Sequence, residues 1–283
     1  MITIWHRDER RRRNKSNIRP NLLMGQRFLV SRSVGAKIIA SARLEPNDTV
    51  LEIGSGRGEL TMGLARAAGR VIAVEKDPRL IAILRQRLAR QGVRNITLIH
   101  GDILKILASG SLTSNPYKVV ANIPYYLTSR LIRKLLEAEH PPEEILLMVQ
   151  REVAERIAAE PPRMNLSGLA VQAYGRPEIL FWVPAEAFRP RPKVDSAFIR
   201  ISDISREFFL RHRISPAAFF TVLRAAFRGK RKTVENALAK NLPRPKARIA
   251  AITERLGLAG KRPEQLTLDD WCKLVAAIKP VVS

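Results

Sequence analysis

Residues 51–61 read LEIGSGRGELT, which is a short apolar run, a glycine-rich turn and the start of a helical pattern. Glycine lets the backbone turn tightly and approach a ligand closely, and the free N–H groups at a following helix N-terminus attract polar or negative groups. We therefore expect Gly54, Gly56 and Gly58 to form a turn beside a nucleotide-type cofactor. A tight turn needed only for packing has the same spacing, so the glycines alone leave both interpretations open.

Short β-branched runs alternate with helical patterns across residues 45–201. The predicted strands are 49–53, 70–75, 95–100, 117–122, 144–149, 178–183 and 196–201, and the predicted helices between them are 59–68, 79–91, 127–137 and 151–159. Strands separated by helices of this length predict a mostly parallel sheet covered on both faces. After residue 201 the pattern is helical throughout, for example at 216–227, 230–240 and 246–256.

A change in composition divides the chain. Pro184, Pro190 and Pro192 favour an extended connection over a helix, and residues 184–283 carry +12 of the formal net charge of +24. We expect a flexible basic N-terminal arm at residues 1–20, an α/β domain at residues 21–202 and a helical domain at residues 203–283.

The charge indicates a polyanionic partner. The chain has 283 residues with 50 Lys plus Arg against 26 Asp plus Glu, and its isoelectric point is about 11.2. Because 46% of the residues are hydrophobic, the chain is unlike a disordered basic tail and can bury a core. Nucleic acid is the favoured partner, and binding to a membrane surface is the weaker alternative.

The few cysteine and histidine residues limit which disulfides and metal sites the chain can form. A single cysteine, Cys272, excludes an intramolecular disulfide, and four scattered histidines give no zinc-ligand spacing, so no metal is expected. The sequence shows neither a secretory signal nor an apolar run that could cross a membrane. We therefore expect a cytoplasmic protein.

Two acids extend the cofactor hypothesis. Glu75 ends the strand after the glycine turn, 21 residues beyond Gly54, where a carboxylate can accept ribose hydroxyls. Asp102 follows the third strand and can receive the exocyclic amine of an adenine. The glycines are spaced GxGxG and no GxxxxGK[ST] loop occurs, which favours a cofactor without a pyrophosphate over a dinucleotide. Glu75 as a solvated strand end is the structural alternative.

Residues 122–125 read Asn-Ile-Pro-Tyr at the end of the fourth predicted strand. The N6 amine of adenine is a poor nucleophile because its lone pair is delocalised into the ring. If the Asn122 side-chain oxygen and a backbone carbonyl accept hydrogen bonds from its two N–H groups, the nitrogen can turn its lone pair toward an electrophilic methyl group. Pro124 holds the turn, and Tyr125 offers a face for stacking, worth roughly 1–3 kcal/mol per base. An ordinary Asn-x-Pro turn is the alternative.

Four segments together carry a family resemblance: 54–58, 122–125, 150–156 and 188–196. From about residue 24 to about residue 278 the chain resembles the S-adenosylmethionine-dependent ribosomal RNA adenine N6,N6-dimethyltransferases. The resemblance implies a Rossmann-like methyltransferase domain of seven strands, the last one antiparallel, followed by a small helical domain. Segments 227–238 and 262–266 are similar to the small-subunit branch, and the macrolide-resistance branch, which acts on 23S rRNA, is the alternative.

The resemblance also implies residue roles. Gly54 would contact the methionine part of the cofactor, Glu75 its ribose and Asp102 its adenine amine, while Phe188 would stack on the target base opposite Tyr125 or act as a hydrophobic plug. The implied cofactor-binding residues are Gln26, Arg27, Leu29, Gly54, Gly56, Gly58, Glu75, Asp102, Ile103 and Asn122, and the implied catalytic residues are Asn122, Pro124, Tyr125 and Phe188. The family usually has Asn where this chain has Arg27, which changes that contact.

The helical segment carries the implied RNA contact. We expect a continuous basic surface formed by Arg224, Arg228, Lys230, Arg231 and Lys232. The implied substrate is a loop of 16S rRNA with two adjacent adenosines within a small-subunit precursor particle, bound by a monomer. Arg10 to Arg13 either join the RNA contact or only solubilise the chain. A non-catalytic RNA-binding assembly or transcription factor on the same fold is the alternative from another class.

Overall fold

A seven-stranded sheet forms the centre of the protein. The computed structural model describes residues 20–21, 24–110, 112, 116–229 and 231–278, so the predicted arm at residues 1–20 lies outside the described residues except for Pro20. The strands are β1 (Phe28–Leu29), β2 (Thr49–Ile53), β3 (Arg70–Glu75), β4 (Ile96–His100), β5 (Lys118–Asn122), β6 (Glu144–Gln150), β7 (Arg176–Val183), β8 (Phe188–Arg189) and β9 (Ser196–Ser202).

The strand order of the sheet is β4-β3-β2-β5-β6-β9-β7. Strands β4, β3, β2, β5 and β6 pair in parallel, whereas β9 lies between β6 and β7 and is antiparallel to both. The mostly parallel sheet with an antiparallel last strand is thus confirmed. Because β2 lies between β3 and β5, the carboxyl ends of these three strands meet at the middle of one sheet edge.

Helices cover both faces of the sheet and form the C-terminal part of the molecule. They are α1 (Arg32–Ser41), α2 (Thr61–Ala67), α3 (Pro78–Arg90), α4 (Ile103–Ala108), α5 (Thr128–Leu136), α6 (Arg151–Ile157), α7 (Leu166–Gln172), α8 (Glu207–His212), α9 (Pro216–Phe227), α10 (Val234–Asn241), α11 (Lys246–Arg255) and α12 (Leu268–Ile278). None of the helices in the described ranges combines the length and the hydropathy needed to cross a membrane.

The predicted helix at 230–240 starts too early. Residue Thr233 is extended, with φ −61° and ψ 155°, and α10 begins only at Val234. Residues 231 and 232 form a turn and a bend instead. The sequence pattern was continuous there because Arg and Lys are good helix formers, but propensity alone does not fix where a helix begins.

Alternate residues of each strand pack on opposite faces of the sheet, as the twofold period of a strand requires. In β5, Val119 and Ala121 belong to the main core cluster while Val120 belongs to a second cluster on the other face. The main cluster continues from the sheet into the C-terminal helices, where it includes the fully buried Phe219 and Trp271. The predicted α/β and helical domains therefore share one hydrophobic core.

Candidate functional site

A cavity of about 260 Å³ opens at the carboxyl ends of β2, β3 and β5. Residues Met24 and Gln26 before β1 and Arg130 of α5 also line it. Of the residues predicted to bind a cofactor, the cavity is lined by Gln26, Arg27, Leu29, Gly54, Gly56, Glu75, Asp102, Ile103 and Asn122. Of the predicted catalytic residues, Asn122 and Pro124 line it. The structure thus brings together most of a site that the sequence scatters over nearly a hundred residues.

The glycine turn after β2 has the backbone that glycine allows. Gly54 and Gly58 have φ angles of 73° and 82°, in the left-handed region that other residues avoid. Gly58 does not line the cavity, and a Cβ there would lie 2.6 Å from Leu84 of α3. Arg87 of α3 donates to the carbonyl oxygens of Arg57 and Gly58 at 2.9 and 3.3 Å. Gly58 therefore fixes the loop against α3.

Glu75 is held at the end of β3 by backbone donors. Its Oε2 accepts from the Gly56 N–H at 2.9 Å, and its Oε1 accepts from the N–H groups of Lys76 and Asp77 at 2.8 and 2.9 Å. A carboxylate has about four acceptor positions, so capacity remains for a ribose hydroxyl. Burial raises the pKa of Glu75, and the backbone hydrogen bonds oppose that rise.

Asp102 lines the cavity two residues after β4 and already has two partners. Its Oδ1 accepts from the Leu104 N–H at 3.0 Å and caps α4, while its Oδ2 pairs with the Lys76 ammonium at 2.9 Å. The hydrogen bond from Lys76 holds the pKa of Asp102 below its usual value. Because the Lys76 side chain is 56% exposed, it can move aside for an adenine amine.

Asn122 lies at the end of β5 and lines the cavity. Its Nδ2 donates to the backbone carbonyl of Arg27 at 3.3 Å, while Oδ1 receives no hydrogen bond from any residue the structure describes. The Arg27 guanidinium turns to the connection between β8 and β9, donating to the carbonyl oxygens of Pro190 and Arg191 at 3.1 and 3.0 Å. Arg27 thus lines the cavity and also forms hydrogen bonds with Asn122 and with the Pro-rich segment.

The aromatic residues are placed differently from the other predicted site residues. Tyr125 does not line the cavity, and its hydroxyl bonds to the Ser196 hydroxyl at 2.7 Å. Phe188 is fully buried in the core, so stacking on a base requires the segment around β8 to move, and that role stays a prediction. Tyr126 lines the cavity and is 64% exposed, which gives a base an accessible aromatic face.

Sequence reasoning did not assign a role to Glu52, which also lines the cavity. It is 2% exposed, its Oε2 has no hydrogen-bond partner, and burial raises its pKa to about 8. An acid in the middle of an apolar strand is costly to bury. An acidic residue inside the otherwise apolar run of β2 was the sequence signal that could have identified Glu52 as a site residue. A cationic ligand would offset the cost.

The predicted RNA-binding residues lie near the end of α9 and in the turn after it. Arg224 and Arg228 are exposed at the C-terminal end of α9, and Arg231 and Lys232 are exposed in the turn before α10. Lys230 and the arginines at 10–13 lie outside the described residues. In the described part of the chain, no group of three or more His, Cys, Asp or Glu side chains is placed to hold a metal ion.

Solved structures with this architecture define the class of the protein. It is similar to a dimethyladenosine transferase from Plasmodium falciparum, with a TM-score of 0.76 and 28% identity over 87% of this chain and 95% of that one. It is also similar to the 23S rRNA methyltransferase ErmE, with a TM-score of 0.69 and 28% identity over 89% and 99% of the two chains. The fold is that of an α/β Rossmann-like methyltransferase.

Sequence comparison then gives the family. The model of the ribosomal RNA adenine dimethylase family matches residues 17–279, and the chain belongs to this family. A ribosomal RNA small subunit methyltransferase A from Dehalococcoides mccartyi is 43% identical over 253 residues, covering 89% of this chain and 86% of that protein. One from Clostridium botulinum is 39% identical over 274 residues, covering 95% and 98%.

Proposed function

We propose that this protein transfers methyl groups from S-adenosylmethionine to N6 of two adjacent adenosines in a loop of small-subunit (16S) rRNA, dimethylating each. The observation that carries the proposal is the placement of Asn122. Its amide nitrogen is fixed by the Arg27 carbonyl, which leaves Oδ1 available as an acceptor at the wall of the cavity.

The cavity residues fit S-adenosylmethionine. The turn at Gly54 and Gly56 lets the methionine part approach the backbone, Glu75 accepts a ribose hydroxyl, and Asp102 accepts the adenine amine once Lys76 moves. The buried Glu52 carboxyl, with an oxygen that has no partner, suits a ligand that carries positive charge. When bound, the cofactor supplies an electrophilic methyl group.

Asn122 and its neighbours act on the target base. Oδ1 of Asn122 and a backbone carbonyl accept hydrogen bonds from the two N6–H groups. This draws the nitrogen lone pair out of conjugation with the ring. Pro124 keeps the turn rigid because its φ is fixed, and an aromatic face at Tyr125 or Tyr126 stacks on the base. The methylated amine is acidic enough to release its proton to solvent, so a neutral amide suffices and no strong base is required.

The charge and the relatives support the substrate and its setting. A net charge of +24 favours binding to rRNA phosphates, and the relatives at 43% and 39% identity are named for the ribosomal small subunit. We propose that a monomer acts on a small-subunit precursor particle in the cytoplasm. Extruding a loop base costs less than extruding a paired one, which favours a loop as the target.

The proposal is tested by incubating the full chain with labelled S-adenosylmethionine and undermethylated small ribosomal subunits, followed by mass spectrometry of the nucleosides. We expect N6,N6-dimethyladenosine at two adjacent positions. Asn122→Ala should lower the rate at least a hundredfold while RNA binding stays within about twofold. Asn47→Ala, an exposed asparagine in the loop before β2, is the matched control and should retain full activity.

Two results would contradict the proposal. A protein that binds the subunits and S-adenosylmethionine without forming methylated adenosine would be the non-catalytic RNA-binding factor. Methylation of 23S rRNA in place of 16S rRNA would assign the protein to the second candidate function, which its similarity to ErmE supports.

A further inference from the structure

We propose that a second cavity, on the other side of α5, binds one nucleotide of the rRNA substrate apart from the target adenine. It has a volume of about 280 Å³ and lies between α5, α6, α7 and α9, where the sheet part of the molecule meets the C-terminal helices. The inference rests on the proposed function only in taking RNA as the ligand.

The interior of this cavity is suited to a flat apolar ring. Ile132, Ile157 and Val171 contribute buried apolar surface to its lining. Tyr174 and Phe220 also line it, with ring centroids 6.3 Å apart and planes inclined by only 18°. Phe220 is half-buried, so part of its surface is open to the cavity. Base stacking on such a ring contributes roughly 1–3 kcal/mol.

Three guanidinium groups surround this apolar interior. Arg133, Arg156 and Arg224 line the cavity together with a single acid, Glu137. Arg133 pairs with Glu137 at 2.9 Å, and its side chain is 69% exposed. Arg156 lies 3.5 Å from Glu152, and both side chains are more than half exposed. Exposed pairs of this kind contribute little stability, so a phosphate can replace the carboxylates.

An apolar ring site bordered by guanidinium groups matches a nucleotide, in which a base is joined to a phosphate. Arginine also recognises phosphate with two parallel hydrogen bonds. A purely hydrophobic ligand would make no use of the three guanidinium groups that line the cavity, and a simple anion would not use the aromatic interior. The chemistry therefore points to a nucleotide, and the activity of the protein points to one within RNA.

Helix α5 connects the second cavity to the first. Arg130 lines the first cavity and Arg133 lines the second. Residues three apart on a helix are neighbours on its surface, so a strand with its target adenine at Asn122 can follow α5 past both arginines. The second cavity would then hold a neighbouring nucleotide and fix the register of the strand.

The test measures equilibrium binding of the full chain to undermethylated small ribosomal subunits with fluorescently end-labelled rRNA, over a series of salt concentrations. Ala170→Phe fills the cavity from α7, and Arg156→Ala removes one cation from its rim. The matched controls are Ala89→Phe and Arg90→Ala, which alter exposed residues of α3 outside both cavities. Thermal melting verifies that each variant is folded.

We expect Ala170→Phe to weaken RNA binding about tenfold, and Arg156→Ala to reduce the slope of log K against log salt by about 0.7, the value for one single-strand phosphate. Cofactor affinity measured by calorimetry should not change, and the controls should bind like the original protein. Normal RNA binding by both cavity variants would overturn the inference.

A second experiment, titration with AMP, distinguishes RNA from a free nucleotide as the ligand of the second cavity. If AMP binding is lost in Ala170→Phe while RNA binding is unchanged, the cavity takes a mononucleotide and the RNA assignment is wrong. The binding assay requires no turnover. The protein could form no methylated adenosine while the two cavity variants still bind RNA more weakly. That pair of results would support this inference and contradict the proposed function.

Discussion

Glu52 lies inside β2, where its carboxyl group is buried and lacks a partner for one oxygen. Burial raises its pKa from 4.5 to about 8. Below pH 4.5 the group is protonated in both the folded and the unfolded state. Between pH 4.5 and 8 the unfolded chain loses this proton while the folded chain keeps it, so the free energy of unfolding falls as pH rises.

Glu52→Gln should remove this contribution to the pH dependence. We expect the variant to gain stability relative to the original protein as pH rises from 5 to 8, at roughly 1.4 kcal/mol per pKa unit of the shift, with no further gain above that range. Urea unfolding at each pH measures the free energy of unfolding of both proteins. The contributions of the other titrating groups cancel in the difference between them. A difference that does not vary with pH would show that Glu52 is ionised in the folded protein.

At the scale of single residues, the sequence predicted the groups that make polar contacts at strand ends. Glu75 and Asn122 are the last residues of β3 and β5, and Asp102 lies two residues after β4, so their position at one edge of the sheet follows from strand order alone. The sequence did not predict that Lys76 pairs with Asp102 or that Tyr126, not Tyr125, faces the cavity. Those features depend on side-chain directions in a turn, which periodicity does not determine.

At the scale of elements, the short antiparallel pair of β1 and β8 joins the N-terminal turn to the Pro-rich segment. The pair has only two residues per strand, and the Arg27 side chain adds two hydrogen bonds to the carbonyl oxygens of Pro190 and Arg191. Phe188 is the first residue of β8, and its side chain is fully buried. Arg27 therefore helps to hold closed the segment that must move if Phe188 is to reach a base.

Arg27→Asn, which restores the residue usual in the family, should open this connection. Each of the two hydrogen bonds contributes about 0.5–1.5 kcal/mol, so we expect amide exchange in residues 187–193 to accelerate by a factor between about 5 and about 150 without any ligand present. Hydrogen exchange with mass spectrometry measures this rate. Arg189→Asn is the control, because within the described part of the chain the Arg189 guanidinium donates to its own segment, to the carbonyl oxygens of Glu186 and Phe188. Equal acceleration in both variants would argue against a special role for Arg27.

Element boundaries were predictable where the apolar pattern and a clear start or stop signal coincide. The predicted bounds of β2, β3 and α9 match the structure, and α9 begins with Ser215 as its cap and Pro216 in its first turn. Helices α1, α4 and α7 were not predicted. Two of them, α4 and α7, have only six and seven residues, too few for a periodic pattern to stand out.

At the scale of the molecule, the main core cluster spans the sheet and the C-terminal helices. Phe219→Ala should therefore destabilise both together, by about 3–5 kcal/mol for the loss of a fully buried ring. We expect a single unfolding transition, with circular dichroism and hydrogen exchange in β5 reporting the same midpoint. Separate transitions for the sheet and the helices would contradict a shared core.

The ion pair between Lys76 and Asp102 has a consequence for the working conditions of the whole molecule. In the proposed function this pair blocks the part of the first cavity that would hold the adenine of the cofactor, and dissolved salt weakens the pair by screening its charges. The same salt weakens the attachment of a strongly basic protein to RNA. Methylation measured against potassium chloride concentration should therefore rise and then fall, and Lys76→Ala should lose the rising limb while keeping the falling one.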